Sequence, residues 1–162
     1  AQTMTNAGKV LQVVTGNYRN GGTHGQLITG STTYVHTSLS AAIVPLQSNS
    51  TIHITASMLA YYPVDNGQTH TRITSGGSTE SSYSQIWQEA GTTMSIDARQ
   101  DHYGTGYVGA QVVMQGVHRH DGGRQTYRVE GKTSNASYNM VLPGTVESAV
   151  GGHLITLTEI AG

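Results

Sequence analysis

From Thr51 to Met58, within a segment that runs to Tyr61, apolar and polar residues alternate without a break. Ile52, Ile54, Ala56, Met58 and Ala60 share one parity; Thr51, His53, Thr55 and Ser57 share the other. A period of two sorts these sets onto opposite faces of a strand, which a helix of 3.6 residues per turn cannot do. The segment is therefore predicted to be a half-buried antiparallel strand. Thr-, Val-, Tyr- and Ile-rich segments suited to a pleated surface recur at short spacing, at 9–15, 32–37, 39–44, 69–74, 82–89, 93–99, 107–118, 125–131, 137–142 and 153–159. Between them stand turn formers such as Asn20-Gly21-Gly22, Asp65-Asn66-Gly67, Gly76-Gly77, Asp121-Gly122-Gly123, Pro143-Gly144 and Gly151-Gly152. His120-Asp121-Gly122-Gly123, lying between two strands, reads as a hairpin. No stretch carries a helical stripe. The expectation is an all-β chain: a single-domain antiparallel β-sandwich, jelly-roll-like, over 9–162, preceded by a flexible arm at 1–8.

The material for a core is scarce. The chain of 162 residues has no Phe, no Cys and one Trp, and its Ile, Leu and Val together number 31. Charged residues make up 10 %, with 22 Thr, 15 Ser, 21 Gly and 9 Tyr in their place. A sandwich of this size buries about two thirds of its unfolded surface, and here little of that surface is apolar. Burial between subunits would supply the deficit, so the reading expects a homo-oligomer.

The same composition excludes other classes. A net charge of −1 with only 8 Lys and Arg leaves no footprint for nucleic acid. The longest apolar run, Ala41 to Leu46, is far short of the roughly 20 residues of a membrane helix, so no membrane insertion is expected. No charged-then-apolar leader opens the chain, so no secretory signal is expected. Without Cys there is no disulfide framework and no thiolate metal site.

Few motifs carry chemistry. Gly104-Thr105-Gly106-Tyr107-Val108-Gly109 matches the dinucleotide glycine pattern, which needs a helix after it; Ala110 to Met114 reads as a strand instead. His118 and His120 would share a face if the strand ran through both, making them the candidate metal pair, weighed against a polar outer face leading into a turn. Neither a Gly-x-Ser-x-Gly elbow nor a His-Glu-x-x-His helix motif occurs. Asp97 and Asp101 are the carboxylates a glycan hydrolase would want, weighed against Asp97 pairing with Arg99 or capping a turn. Asp101, His102, Tyr103 and Tyr107 form an aromatic, Gly-rich loop suited either to stacking on sugar rings or to burial in a subunit seam. Trp87 is read as a core or seam anchor. No cofactor and no catalytic residue is assigned.

Gly8-Lys9-Val10-Leu11-Gln12-Val13-Val14 resembles the opening of a family of small β domains of tailed bacteriophages, including marine and cyanobacterial phages. Ser31-Thr32-Thr33-Tyr34-Val35, Leu39-Ser40, Pro45, Ser48 and Ser50 resemble its second block, and Leu157-Thr158-Glu159-Ile160-Ala161-Gly162 its closing strand. These domains occur at the ends of tail-fibre-like proteins and as stand-alone virion proteins. The resemblance implies a non-enzymatic virion structural protein, a jelly-roll-like homotrimer assembled in the host bacterial cytoplasm and carried on the virion surface. As a capsid decoration or cement protein its partners would be its own copies and the major capsid protein or other virion proteins. As a tail or head fibre tip its partner would be a host cell-surface glycan.

Overall fold

The computed structural model describes residues 7–18, 26–28, 30–62, 67–76, 84–85, 97–102, 108–137, 140–142 and 153–162. All regular structure among them is β. The strands are β1 (Val10–Tyr18), β2 (Gln26–Ile28), β3 (Val35–Ile43), β4 (Thr51–Tyr62), β5 (Gly67–Ser75), β6 (Ser84–Gln85), β7 (Asp97–His102), β8 (Val108–Arg119), β9 (Gln125–Thr133), β10 (Met140–Leu142) and β11 (His153–Ile160). They form two antiparallel sheets. In the first, β1 pairs with β11, β11 with β4, and β4 with β8, while β10 continues along β4 at Tyr61 and pairs with β2. In the second, β3 pairs with β9, β9 with β5, and β5 with β7 and then with β6.

With the short strands β2, β6 and β10 set aside, eight strands remain in the orders β1-β11-β4-β8 and β3-β9-β5-β7. This is the winding of a jelly roll, in which the chain crosses between sheets at nearly every connection. One sequence-based expectation changes in consequence. The turn after β8 is built as expected, on Gly122 (φ +91°) and Gly123 (φ +68°), conformations that glycine adopts without a Cβ penalty. It does not make a hairpin, because β8 pairs with β4 whereas β9 pairs with β3 and β5. The turn is a corner between sheets.

The alternation in β4 does what it predicts. Ile52, Ile54, Ala56 and Met58 are buried, and His53 and Thr55 are exposed. They meet Ile155 and Leu157 of β11, Val112 and Met114 of β8, and, from the other sheet, Leu39, Ile43, Ile73, Tyr127 and Val129. Tyr127 takes the place a Phe would fill. It is fully buried, and its hydroxyl lies 2.9 Å from His118 Nδ1, the polar partner a buried phenol requires. Burial, and then the charge of Asp121, push the Tyr127 pKa far above its usual value, so the phenol keeps its proton.

Segments 32–37 and 39–44, read as two strands, are one. The ladder between β3 and β9 shifts from His36 opposite Glu130 to Ser40 opposite Arg128, so β3 accommodates two extra residues. Ser38 sits in this bulge at φ 64°. The Thr37 hydroxyl fills the gap, donating to the Val129 carbonyl at 2.8 Å and accepting from Leu39 N at 3.4 Å. A left-handed conformation costs a non-glycine residue about 1–2 kcal/mol. Ser38→Gly is therefore expected to raise the melting temperature by about 2–4 °C, taking about 1 kcal/mol of relief in a chain of this size. Thermal unfolding followed by circular dichroism measures it.

The backbone pairing begins two residues before β1. Gly8 N donates to Ala161 O at 2.8 Å, and Ala161 N donates to Lys9 O at 2.9 Å. Gly8, assigned from the sequence to the arm, is thus tied to the closing strand; residues 1–6 lie outside the described residues.

Candidate functional site

The densest buried polar cluster joins segments far apart in the chain. Glu159 of β11 follows Ile155 and Leu157 on the inward parity and is fully buried. Its carboxylate accepts from Gln12 Nε2 of β1 (2.6 Å), from the backbone N–H of Leu46 (2.9 and 3.0 Å) and of Gln47 (3.1 Å), and from the Ser50 hydroxyl (2.5 Å). Burial alone would raise the pKa of this carboxyl. The hydrogen bonds from Ser50, Gln12, Leu46 and Gln47 outweigh burial and hold it below the ordinary carboxylate range.

Ser50 also meets His120, whose Nε2 lies 3.0 Å from Oγ. A serine, a histidine and a carboxylate in sequence invite comparison with a nucleophilic triad, but the order is wrong. Gly122 N–H donates to His120 Nδ1 at 3.1 Å. In the neutral ring Nδ1 is then the acceptor and Nε2 carries the proton, so Nε2 donates to Ser50. Ser50 in turn points its own proton at the carboxylate. A triad needs an imidazole that takes the serine proton and an acid that orients the imidazole. Here the imidazole is a donor and the acid holds the serine. All three side chains are buried. The arrangement is a latch joining β1, the 44–50 connection, the corner after β8, and β11.

This geometry separates the two candidate metal ligands. The strand ends at Arg119, so His120 lies beyond it and the same-face rule fails between 118 and 120. His118 pairs with Tyr127; His120 has both ring nitrogens engaged in the latch. Among the described residues no group of three His, Asp, Glu or Cys is placed to hold a metal.

The other sequence candidates are placed by backbone alone or lie outside. Asp97, Asp101 and His102 belong to β7, where Asp97 stands opposite Arg72 and Asp101 opposite Gln68. Trp87, Tyr103 and Tyr107 lie outside the described residues. The glycine motif at 104–109 leads into strand β8, as its composition suggested, not into a helix.

What the sequence reading missed is the contrast between the two outward sheet faces. On the second sheet, Glu130 of β9 is held between two guanidinium groups: Arg72 Nη2 at 2.7 Å and Arg128 Nη2 at 2.6 Å. Arg72 also lies 4.0 Å from the centroid of the Tyr34 ring, and Lys132 Nζ lies 4.7 Å from it, both within cation–π range. Three of the chain's 8 Lys and Arg thus gather around the buried Glu130 carboxylate and Tyr34, and the register of β7 sets Asp97, Arg99 and Asp101 on the same parity of the sheet. His36, opposite Glu130 in the ladder, is held below its usual pKa by burial and by Arg128, against the pull of Glu130.

The outward face of the first sheet is different. Its cross-strand rows are Val13–Thr158–His53–Val117, Thr15–Thr156–Thr55–Gln115 and Asn17–Leu154–Ser57–Val113. A fourth row, Val10–Ile160–Thr51–Arg119, closes one end and brings the only Lys or Arg of these four rows. Val10, Val13, Val113 and Leu154 are all 41 % exposed or more.

Comparison with known proteins finds no family model and no curated sequence that matches this chain.

Proposed function

We propose that this protein is a non-enzymatic structural subunit of a bacteriophage particle, a capsid decoration or cement protein on the virion surface. Its partners are its own copies, as a homotrimer, and the major capsid protein. Many modest contacts, repeated over the shell, stabilise the particle through avidity. The fold alone does not carry this reading, because jelly rolls serve many functions. The observation that carries it is the pair of outward sheet faces. One is rich in Thr and Val, with Arg119 at one end only; the other is densely charged, with Arg72, Arg128 and Lys132 gathered around Glu130 and Tyr34. A subunit that grips its own copies and a shell at once needs two chemically distinct surfaces. The buried Ser50–His120–Glu159 chain supports the non-enzymatic half of the reading, since its hydrogen bonds are spent inside the fold.

Copy number tests it. Gel densitometry of purified particles is expected to give hundreds of copies per virion. A few dozen or fewer, with binding to host glycan, would replace the shell reading with the fibre-tip one.

A further inference from the structure

Resting on that reading of the chain as an assembly subunit, we infer that the outward face of the β1-β11-β4-β8 sheet is the seam through which copies of this chain associate. Four of the six large hydrophobic side chains exposed among the described residues, Val10, Val13, Val113 and Leu154, stand on this one face. Between them run hydroxyls and amides, such as the row Thr15, Thr156, Thr55 and Gln115. These groups can hydrogen-bond across an interface without the desolvation cost of a charge. Within the rows Lys or Arg enters only at one end, at Arg119 opposite Thr51. A second copy therefore brings no like charge against the middle of the face.

Area favours the same occupant. Four strands about 4.8 Å apart, each about seven residues long in the shared ladder, give a plane of about 440 Å². The relief of the side chains takes this toward the roughly 800 Å² that each partner contributes to a standard interface. The sheet edges add a second argument. Among the described residues β8 pairs only with β4, and β1 only with β11. Neither strand contains Pro, and β8 has no charged residue before Arg119. Long edges without such protection template pairing unless something covers them. A neighbour wide enough to overhang the face at β1 and β8 hinders access to both edges.

The test is sedimentation velocity of the full chain at micromolar concentration, with far-UV circular dichroism to follow folding. Wild type is expected to sediment as an oligomer. Thr55→Arg places a charge at an exposed position in the middle of the face and Val113→Glu one at an exposed position on its β8 side, where the fold tolerates them. Each is expected to weaken association by at least about tenfold with an unchanged dichroism spectrum. Ala136→Lys, exposed in the turn after β9, is expected to leave association unchanged. A wild-type oligomer that survives both face variants overturns the seam and leaves the assembly reading standing. A folded wild-type monomer overturns the seam and the homotrimer together.

Discussion

Glu159→Ala is expected to lower the stability of this protein by about 3–5 kcal/mol, because each buried donor left without its acceptor costs about 1–3 kcal/mol. The backbone N–H groups of Leu46 and Gln47 lose their acceptor outright, while Gln12 Nε2 and Ser50 Oγ are left with only the carbonyls of Val44 and Gln47. They belong to β1 and to the connection between β3 and β4, so the loss is felt at one end of both sheets. For a chain of this length a loss of 4 kcal/mol lowers the melting temperature by about 12 °C. Glu159→Gln keeps the shape but removes the charge and turns an N–H₂ toward donors. It is expected to cost about 1.5–3 kcal/mol, the range for hydrogen bonds to a charged group.

The same carboxylate dictates a pH dependence. Its folded pKa is depressed by its donors. Its contribution is therefore fully present above the unfolded Glu value of about 4.3 and is lost as pH falls through the lower folded value. The wild-type melting temperature is expected to decline in that acid window, and Glu159→Gln to show a shallower decline there. Ser50→Ala removes the first of the lowering hydrogen bonds and moves the decline to higher pH. Thermal melts at a series of pH values measure all three. An acid slope identical in wild type and Glu159→Gln would show that the latch does not hold the end of the sandwich.

The second large effect is steric. Gly16 lies on the inward parity of β1, opposite Ile155. A Cβ at this position would overlap the Ser40 backbone carbonyl of β3 and lie 3.0 Å from Ile155 Cγ2. The obstacle is main chain, fixed by the pairing of Ser40 with Arg128, so no side-chain rotation relieves it. The two sheets approach so closely here that only glycine fits. Gly16→Ala is expected to cost about 3 kcal/mol, the upper end of the usual overpacking range, and Gly16→Val more. The alanine variant should melt about 6–12 °C below wild type. Hydrogen exchange should quicken first in β1 and around Ser40, where the sheets are forced apart. A Gly16→Ala protein as stable as wild type would mean that β1 and β3 stand further apart than described here.

Much of the fold is legible in the sequence because alternation is a local signal. β4, β9 and β11 follow from the parity of Ile52 to Met58, Tyr127 to Val129 and Ile155 to Leu157. Sheet membership is not local, and a jelly roll makes this acute. The turn at Gly122 and Gly123 looks the same whether it closes a hairpin or rounds a corner between sheets. The bulge at Ser38 hides for a related reason: Thr37 and Leu39 keep the inward parity on either side of it, and the hydroxyl that bridges the ladder leaves no periodic mark. Glu159 left a clue that parity alone could have exposed. It continues the buried series Ile155, Leu157, and a carboxylate on an apolar parity needs buried donors. Those donors come from Ser50, 109 positions away, and Gln12, 147 positions away, and no spacing rule reaches so far. His118 and His120 failed as a pair because the strand stops between them.

Both the latch and the Gly16 contact serve the same end. They fix from within how the two sheets meet, alongside the apolar core, and engage neither outward face. The central claim is that these faces join copies of the chain to one another and to a viral shell. Cryo-electron microscopy of purified particles tests it most directly. The account predicts jelly-roll density repeated over the capsid lattice, with neighbouring copies meeting through the β1-β11-β4-β8 face. Intact particles whose capsid surface carries no such density would contradict it.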